Sequence, residues 1–140
     1  MRLVADVSDS AEVKKIFGEF VAAFGTIDVL VNNAGIGRVR PGSEATPTVD
    51  KTDEDWHKTI ATHLDATFYC TREAFKVMIA KQSGRIVNLG SIVGLTGIEL
   101  ASDYGAAKGG IISFTKCVAR EVVRHGITST VSRPASSKLR

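Results

Sequence analysis

The sequence predicts an open parallel α/β sheet, part of a doubly wound arrangement, and three observations carry that prediction. Residues 27–31 and 84–89 are short apolar runs of strand length. They alternate with long stretches of helical periodicity at 11–24, 52–80 and 102–124. Small and polar residues follow each run directly: Asn32 to Gly35 after the first and Ser91 after the second. In open α/β sheets the ligand cleft lies beyond the carboxyl ends of the strands.

The elements follow in order. Residues 2–5 read as a short strand ending at Asp6, with Ser8 as the N-cap of a helix over 11–24 that Gly25 closes. Val13, Ile16, Phe17, Phe20 and Val21 give that helix one apolar stripe. The unbroken run at 27–31 predicts a strand buried on both faces. Residues 35–48, rich in Gly and Pro, read as a loop. Thr52 caps the next helix and Asp53, Glu54 and Asp55 load its first turn with acids, which suits the positive end of the helix dipole. Trp56, Ile60, Leu64, Phe68, Phe75 and Met78 line one side of it, and Trp56 reads as core. A buried strand at 84–89, a helix at 102–124 ended by Gly126 and a strand beginning at Ile127 complete the series.

Composition excludes several function classes. The net charge of +3 is local to residues 133–140, which hold Arg133, Lys138, Arg140 and no acid. Without them the chain carries 15 basic and 15 acidic residues, so no nucleic-acid surface is indicated. Residues 1–132 read as one domain and 133–140 as a flexible basic tail. Cys70 and Cys117 lack the Cys-x-x-Cys spacing of redox or zinc sites. Both read as small buried hydrophobes in a reducing, cytoplasmic setting. No apolar run is long enough to cross a membrane. His57 and His63 do not share a helix face and His125 lies far away, so no metal site is expected.

Chemistry concentrates at Tyr104 and Lys108. Four residues apart on a helix, they share a face. The Lys108 charge favours loss of the phenol proton, which would let Tyr104 trade a proton with an alcohol or a developing alkoxide. Ser91, thirteen residues upstream, could hold the same oxygen. A bare Tyr-x-x-x-Lys pair is common on ordinary helices. A serine that ends a strand is often only a turn residue.

The company of these residues narrows the reading. Val29-Leu-Val-Asn32-Asn33-Ala34-Gly35, Gly84-Arg-Ile-Val-Asn-Leu-Gly-Ser91 and Tyr104-Gly-Ala-Ala-Lys108 together resemble the short-chain dehydrogenase/reductase family over roughly residues 3–128. The wording at Phe68-Tyr-Cys-Thr-Arg-Glu-Ala and at 105–126 looks most like the 3-oxoacyl-carrier-protein reductase type. The resemblance implies a Rossmann-like fold and hydride transfer between NADP or NAD and a carbonyl or secondary alcohol. It implies Tyr104 as acid/base, Lys108 on the ribose hydroxyls and Ser91 on the carbonyl oxygen. It also implies Asp6 and Val7 beside the adenine, and Asn32, Ala34 and Gly35 beside the nicotinamide-side ribose. One of Asn32 and Asn33 would serve structure. Asp103 is expected to serve the helix N-terminus.

The sequence departs from the family pattern in three ways. It has no glycine-rich turn for the pyrophosphate, so it matches the family from its third strand, lacking the first two strands and the last. The strand at 27–31 would then be an exposed apolar edge, open to re-pairing or to a strand from a second chain. Residues after Thr128 lack the family's Asn-x-Val-x-Pro-Gly. His63 stands where the family has an Asn that anchors a proton-relay water; it is either a substitute relay or a partly buried residue with no chemical role. Two functional classes therefore stand side by side. One is a reductase acting on a small carbonyl or alcohol, homo-oligomeric through helices 52–80 and 102–125. The other is an inactive association fragment using those same helices.

Overall fold

A computed structural model describes residues 1–36 and 46–132. Three parallel strands form one sheet in the order β1 (Val29–Asn32), β2 (Gly84–Leu89), β3 (Ile127–Ser132). The register sets Leu30 beside Ile86 and Ile86 beside Ser129, then Asn32 beside Asn88 and Asn88 beside Val131. Strand residues alternate sides, so these six share one face.

Helices α1 (Ser10–Phe24), α3 (Ala66–Lys81) and α5 (Ser102–Val122) pack on that face. Its core joins Ile27, Ala74, Met78, Ile86, Val122 and Ile127, with Phe17, Val21, Leu30 and Phe75 against it. Gly84 is part of this packing, because a Cβ there would lie 2.4 Å from the Met78 sulfur. The opposite face carries Val29, Val31, Arg85, Thr128 and Thr130, and among the described residues it is uncovered. Val29 is 58% and Val31 53% exposed, so the run at 27–31 is not buried on both faces as expected. An apolar run requires two-sided cover only if layers exist on both sides.

Local signals set most helix ends. Thr52 Oγ1 accepts from the Asp55 amide at 3.1 Å and donates to the Asp55 carboxylate at 2.9 Å, capping α2 (Asp53–Ile60) as expected. Gly126, at φ 66°, ends the last helical turn beyond α5. The predicted cap Ser8 is displaced by Asp9, whose carboxylate accepts from the amides of Ala11 and Glu12. Ser8 instead donates its hydroxyl to Asp6. The expected strand at 2–5 does not form; those residues have no sheet partner. A lone strand has no stability in water without a neighbour. Trp56 is exposed rather than core, and so is Cys117. Cys70 is buried, which pushes its thiol up to about 11.

The predicted helix over 52–80 is helical throughout, but a π turn at Ala61–Asp65 interrupts its α geometry between α2 and α3. Such turns insert an extra residue and are frequent at functional sites. A short helix, α4 (Val93–Thr96), follows β2 and was not anticipated. No described helix is long and apolar enough to cross a membrane. Residues 37–45, most of the predicted loop, and the tail at 133–140 lie outside the described residues.

Candidate active site

The site gathers at the carboxyl ends of β1 and β2, beside α5, which packs against β3 and β2. Lys108 is 6% exposed, and its Nζ donates to the Leu89 carbonyl at 2.7 Å. That bond pins the ammonium at the end of β2, two residues before Ser91. Burial pushes the Lys108 ammonium below its usual range. The Nζ lies 5.7 Å from the centre of the Tyr104 ring, so the expected shared face of the pair is real.

Ser91 opens the turn into α4. Its Oγ accepts from the Val93 amide at 3.2 Å and its carbonyl accepts from the Gly94 amide at 3.2 Å. Gly94 then meets α5 backbone to backbone. A Cβ on Gly94 would lie 2.5 Å from the Gly109 nitrogen and 2.6 Å from the Lys108 carbonyl carbon. A Cβ on Gly109 would lie 3.1 Å from the Gly94 oxygen. The serine turn is thus seated directly against the lysine-bearing stretch of α5. The sequence reading missed this pair, because neither glycine carries a signal of a partner fifteen residues away.

His63 projects from the π turn and is 3% exposed. Its ring stands edge-on to Tyr104, with centroids 5.4 Å apart and planes at 89°. Its Nε2 lies 3.0 Å from the Ile36 carbonyl oxygen. The Thr67 hydroxyl donates to the His63 carbonyl at 2.7 Å, which supports the widened turn. His63 is thus more deeply buried than the partly buried residue the sequence suggested, and its ring touches Tyr104.

A polar network fixes the strand ends below the site. Asn32 Nδ2 donates to Asn88 Oδ1 at 2.8 Å and to Thr71 Oγ1 at 3.1 Å. Asn88 Nδ2 donates to Thr115 Oγ1 at 2.9 Å, and that hydroxyl donates to the Ile111 carbonyl at 2.7 Å. Asn88 is fully buried, so these partners are what make a polar residue tolerable there. Asn32 is therefore structural, joining β1 to β2 and α3. Asn88 was overlooked in the sequence, although a lone amide inside an apolar strand is itself a sign of a buried network.

Asp103 lies in the first turn of α5, but it also ties that helix to its neighbours. Thr59 Oγ1 donates to its Oδ2 at 2.9 Å and Lys51 Nζ lies 3.2 Å from its Oδ1. Burial works to raise its carboxyl, yet the Thr59 hydroxyl, the Tyr104 amide and Lys51 together hold it below the usual carboxylate value.

Val7, Asn32 and Ala34 line one shallow pocket of about 90 Å³ together with Asn33, Ala66, Thr67 and Cys70. Gly35 belongs to the same turn and lies close against the His63 ring. Asp6 stands apart and exposed. Hydrogen bonds from the Ser8 hydroxyl and amide lower its carboxyl and commit it to the turn before α1.

The chain as a whole is similar to known proteins in sequence and in fold. The family model described as short chain dehydrogenase matches residues 1–138. This chain belongs to the short chain dehydrogenase family. The 3-oxoacyl-[acyl-carrier-protein] reductase FabG of Escherichia coli K12 is 38% identical over 132 residues, 94% of this chain and 52% of that protein. The FabG of Staphylococcus aureus Mu50 is 39% identical over 130 residues, 93% of this chain and 50% of that protein. In structure, a short chain dehydrogenase from Mycobacterium smegmatis superposes with a TM-score of 0.85 at 34% identity, over 94% of this chain and 53% of that one. The chain spans about half the length of the short chain dehydrogenases it matches.

Proposed function

We propose that this chain carries the catalytic half of an NAD(P)-dependent carbonyl reductase or alcohol dehydrogenase of the 3-oxoacyl-carrier-protein reductase type. The observation that supports it most is the seating of Lys108. A buried ammonium held to the Leu89 carbonyl, beside the Tyr104 ring and against the Ser91 turn, is an arrangement with no evident structural need.

The residues present fit the nicotinamide half of a dinucleotide. Lys108 and Tyr104 would hold the ribose hydroxyls, and the turn at 32–35 would flank them. Val7 lies in the adjoining pocket, suited to the adenine side, with Asp6 next to it in sequence. When bound, the cofactor supplies the hydride. Tyr104 Oη gives its proton to the carbonyl oxygen in reduction, or takes one from the alcohol in the reverse direction. Ser91 Oγ orients that oxygen, and the His63 ring packs edge-on against Tyr104. Either NADP or NAD is accommodated by this reading.

The chain is also proposed to work as a cytoplasmic homo-oligomer. A groove of about 310 Å³ between α3 and α5, lined by Phe68, Arg72, Phe75 and Phe114 among others, supports pairing through helices 52–80 and 102–125. Residues 1–132 would act as one unit.

Tyr104→Phe tests the enzymatic reading. Turnover of a 3-oxoacyl thioester with NADPH should fall by about 10²–10⁴-fold while the melting temperature holds. Unchanged turnover would remove Tyr104 from the chemistry, and no turnover in either protein with self-association intact would favour the association fragment.

A further inference from the structure

Three observations converge on His63. First, its Nε2 faces the Ile36 carbonyl oxygen at 3.0 Å. A carbonyl only accepts, so Nε2 carries the proton and donates. The neutral ring therefore keeps its lone pair on Nδ1, which is buried and has no hydrogen-bond partner among the described residues. Second, a Cβ on Gly35 would lie 2.4 Å from Cε1 and 2.8 Å from Nδ1 of that ring. Gly35 does not occupy the left-handed backbone region, so the ring, and not the backbone, is what excludes a side chain there. Third, the ring stands edge-on to Tyr104 at 5.4 Å. The imidazole is therefore wedged between the turn after β1 and the tyrosine face of α5, fixed to one by a hydrogen bond and to the other by packing.

We propose that His63 is a positioning residue: its neutral ring latches the turn at 33–36 to the Tyr104 face of α5, and proton uptake at Nδ1 releases that latch. A proton on Nδ1 would create a buried cation whose new donor points at the Gly35 backbone, with no acceptor in place among the described residues. Among the described residues, the charged groups that act on it both lie on α5. Lys108 opposes a second positive charge and Asp103 favours it, while from the described part of the turn the Ile36 carbonyl faces it. Burial first, and then Lys108, hold the imidazole below its ordinary value. The folded chain thus binds fewer protons here than the unfolded chain. The stabilisation is complete above about pH 6.5 and is lost as pH falls through the lower folded value.

The consequence for nucleotide affinity rests on the function proposed above; the latch itself does not. The first test is therefore nuclear magnetic resonance of the full chain without ligand, between about pH 5 and pH 7.5. The His63 ring should show the Nε2-protonated tautomer at the upper end, and the Gly35 and Ile36 amide signals should shift with the same midpoint as the ring. In His63→Gln the side-chain amide can still donate to Ile36 and does not titrate, so those two signals should stay fixed. An Nδ1-protonated tautomer, pH-independent Gly35 and Ile36 signals in the native chain, or the same shifts in His63→Gln would overturn the latch. The second test is calorimetric titration with NADPH. Apparent affinity should drop from pH 7.5 to pH 5.5 in the native chain and not in His63→Gln, because only the latched fraction is competent; the drop stays below about tenfold because the imidazole is held below its ordinary value. Equal drops in both would overturn the latch as a determinant of affinity. If neither chain binds NADPH at any pH, the dinucleotide reading fails, and the resonance experiment still decides the latch.

Discussion

The two faces of this sheet have the same strands and opposite fates. On one, Leu30, Ile86 and Ile127 are covered by three helices, and Asn32 and Asn88 are joined to α3 and α5 by hydrogen bonds. On the other, Val29 and Val31 stand among Arg85, Thr128 and Thr130 with nothing described above them. The candidate site belongs wholly to the first face and to the strand ends. Its precision comes from that one layer: α5 brings Tyr104 and Lys108, the π turn before α3 brings His63, and β2 supplies both the Leu89 carbonyl and the polar network beneath. The uncovered face shows that a strand's hydrophobicity states what it could bury, not what it does bury.

The contrast can be broken most sharply at Met78, which is fully buried beneath Gly84 and Ile86. Met78→Ala should lower unfolding free energy by about 2–5 kcal/mol in a urea melt. Next is Asn88→Ala, which leaves Asn32 and Thr115 each without one partner; a loss of about 1–3 kcal/mol is expected. The same variant should also weaken the proposed nucleotide binding, since β1 and β2 lose their only described side-chain tie at the site. On the uncovered face, Val29→Thr and Val31→Thr should each change stability by less than about 0.5 kcal/mol. A cost above about 1 kcal/mol at either valine would mean that this face is covered in solution, and the contrast would have to be redrawn.

The same division explains what could be read in the sequence. Helix ends announced themselves where the signal is local, as at Thr52 and Gly126. β2 was legible to the residue because its apolar run is bounded by Gly84 and Gly90 and is paired on both sides. The run at 2–5 looked no different in kind, yet it forms no strand, since strand formation needs a neighbour that composition does not reveal. Ser8 and Asp9 are both good caps, and only the geometry of the preceding Asp6 turn decides between them. In the site, Ser91, Tyr104 and Lys108 were legible through their spacing and their resemblance to a known family. Asn88, the Thr59–Asp103–Lys51 tie and the Gly94–Gly109 contact were not, because each depends on which residues meet across the fold.

The contact between Gly94 and Gly109 has a mechanical meaning. Two backbones touching without intervening side chains leave no rotamer to relax and no gap to close. The serine turn and the lysine-bearing part of α5 must then move as a single body, so thermal motion at the sheet edge would shift the pair together and leave their spacing unchanged. Any side chain introduced at position 94 would act as a shim of fixed thickness, driving the serine away from the helix while leaving both chemical groups intact.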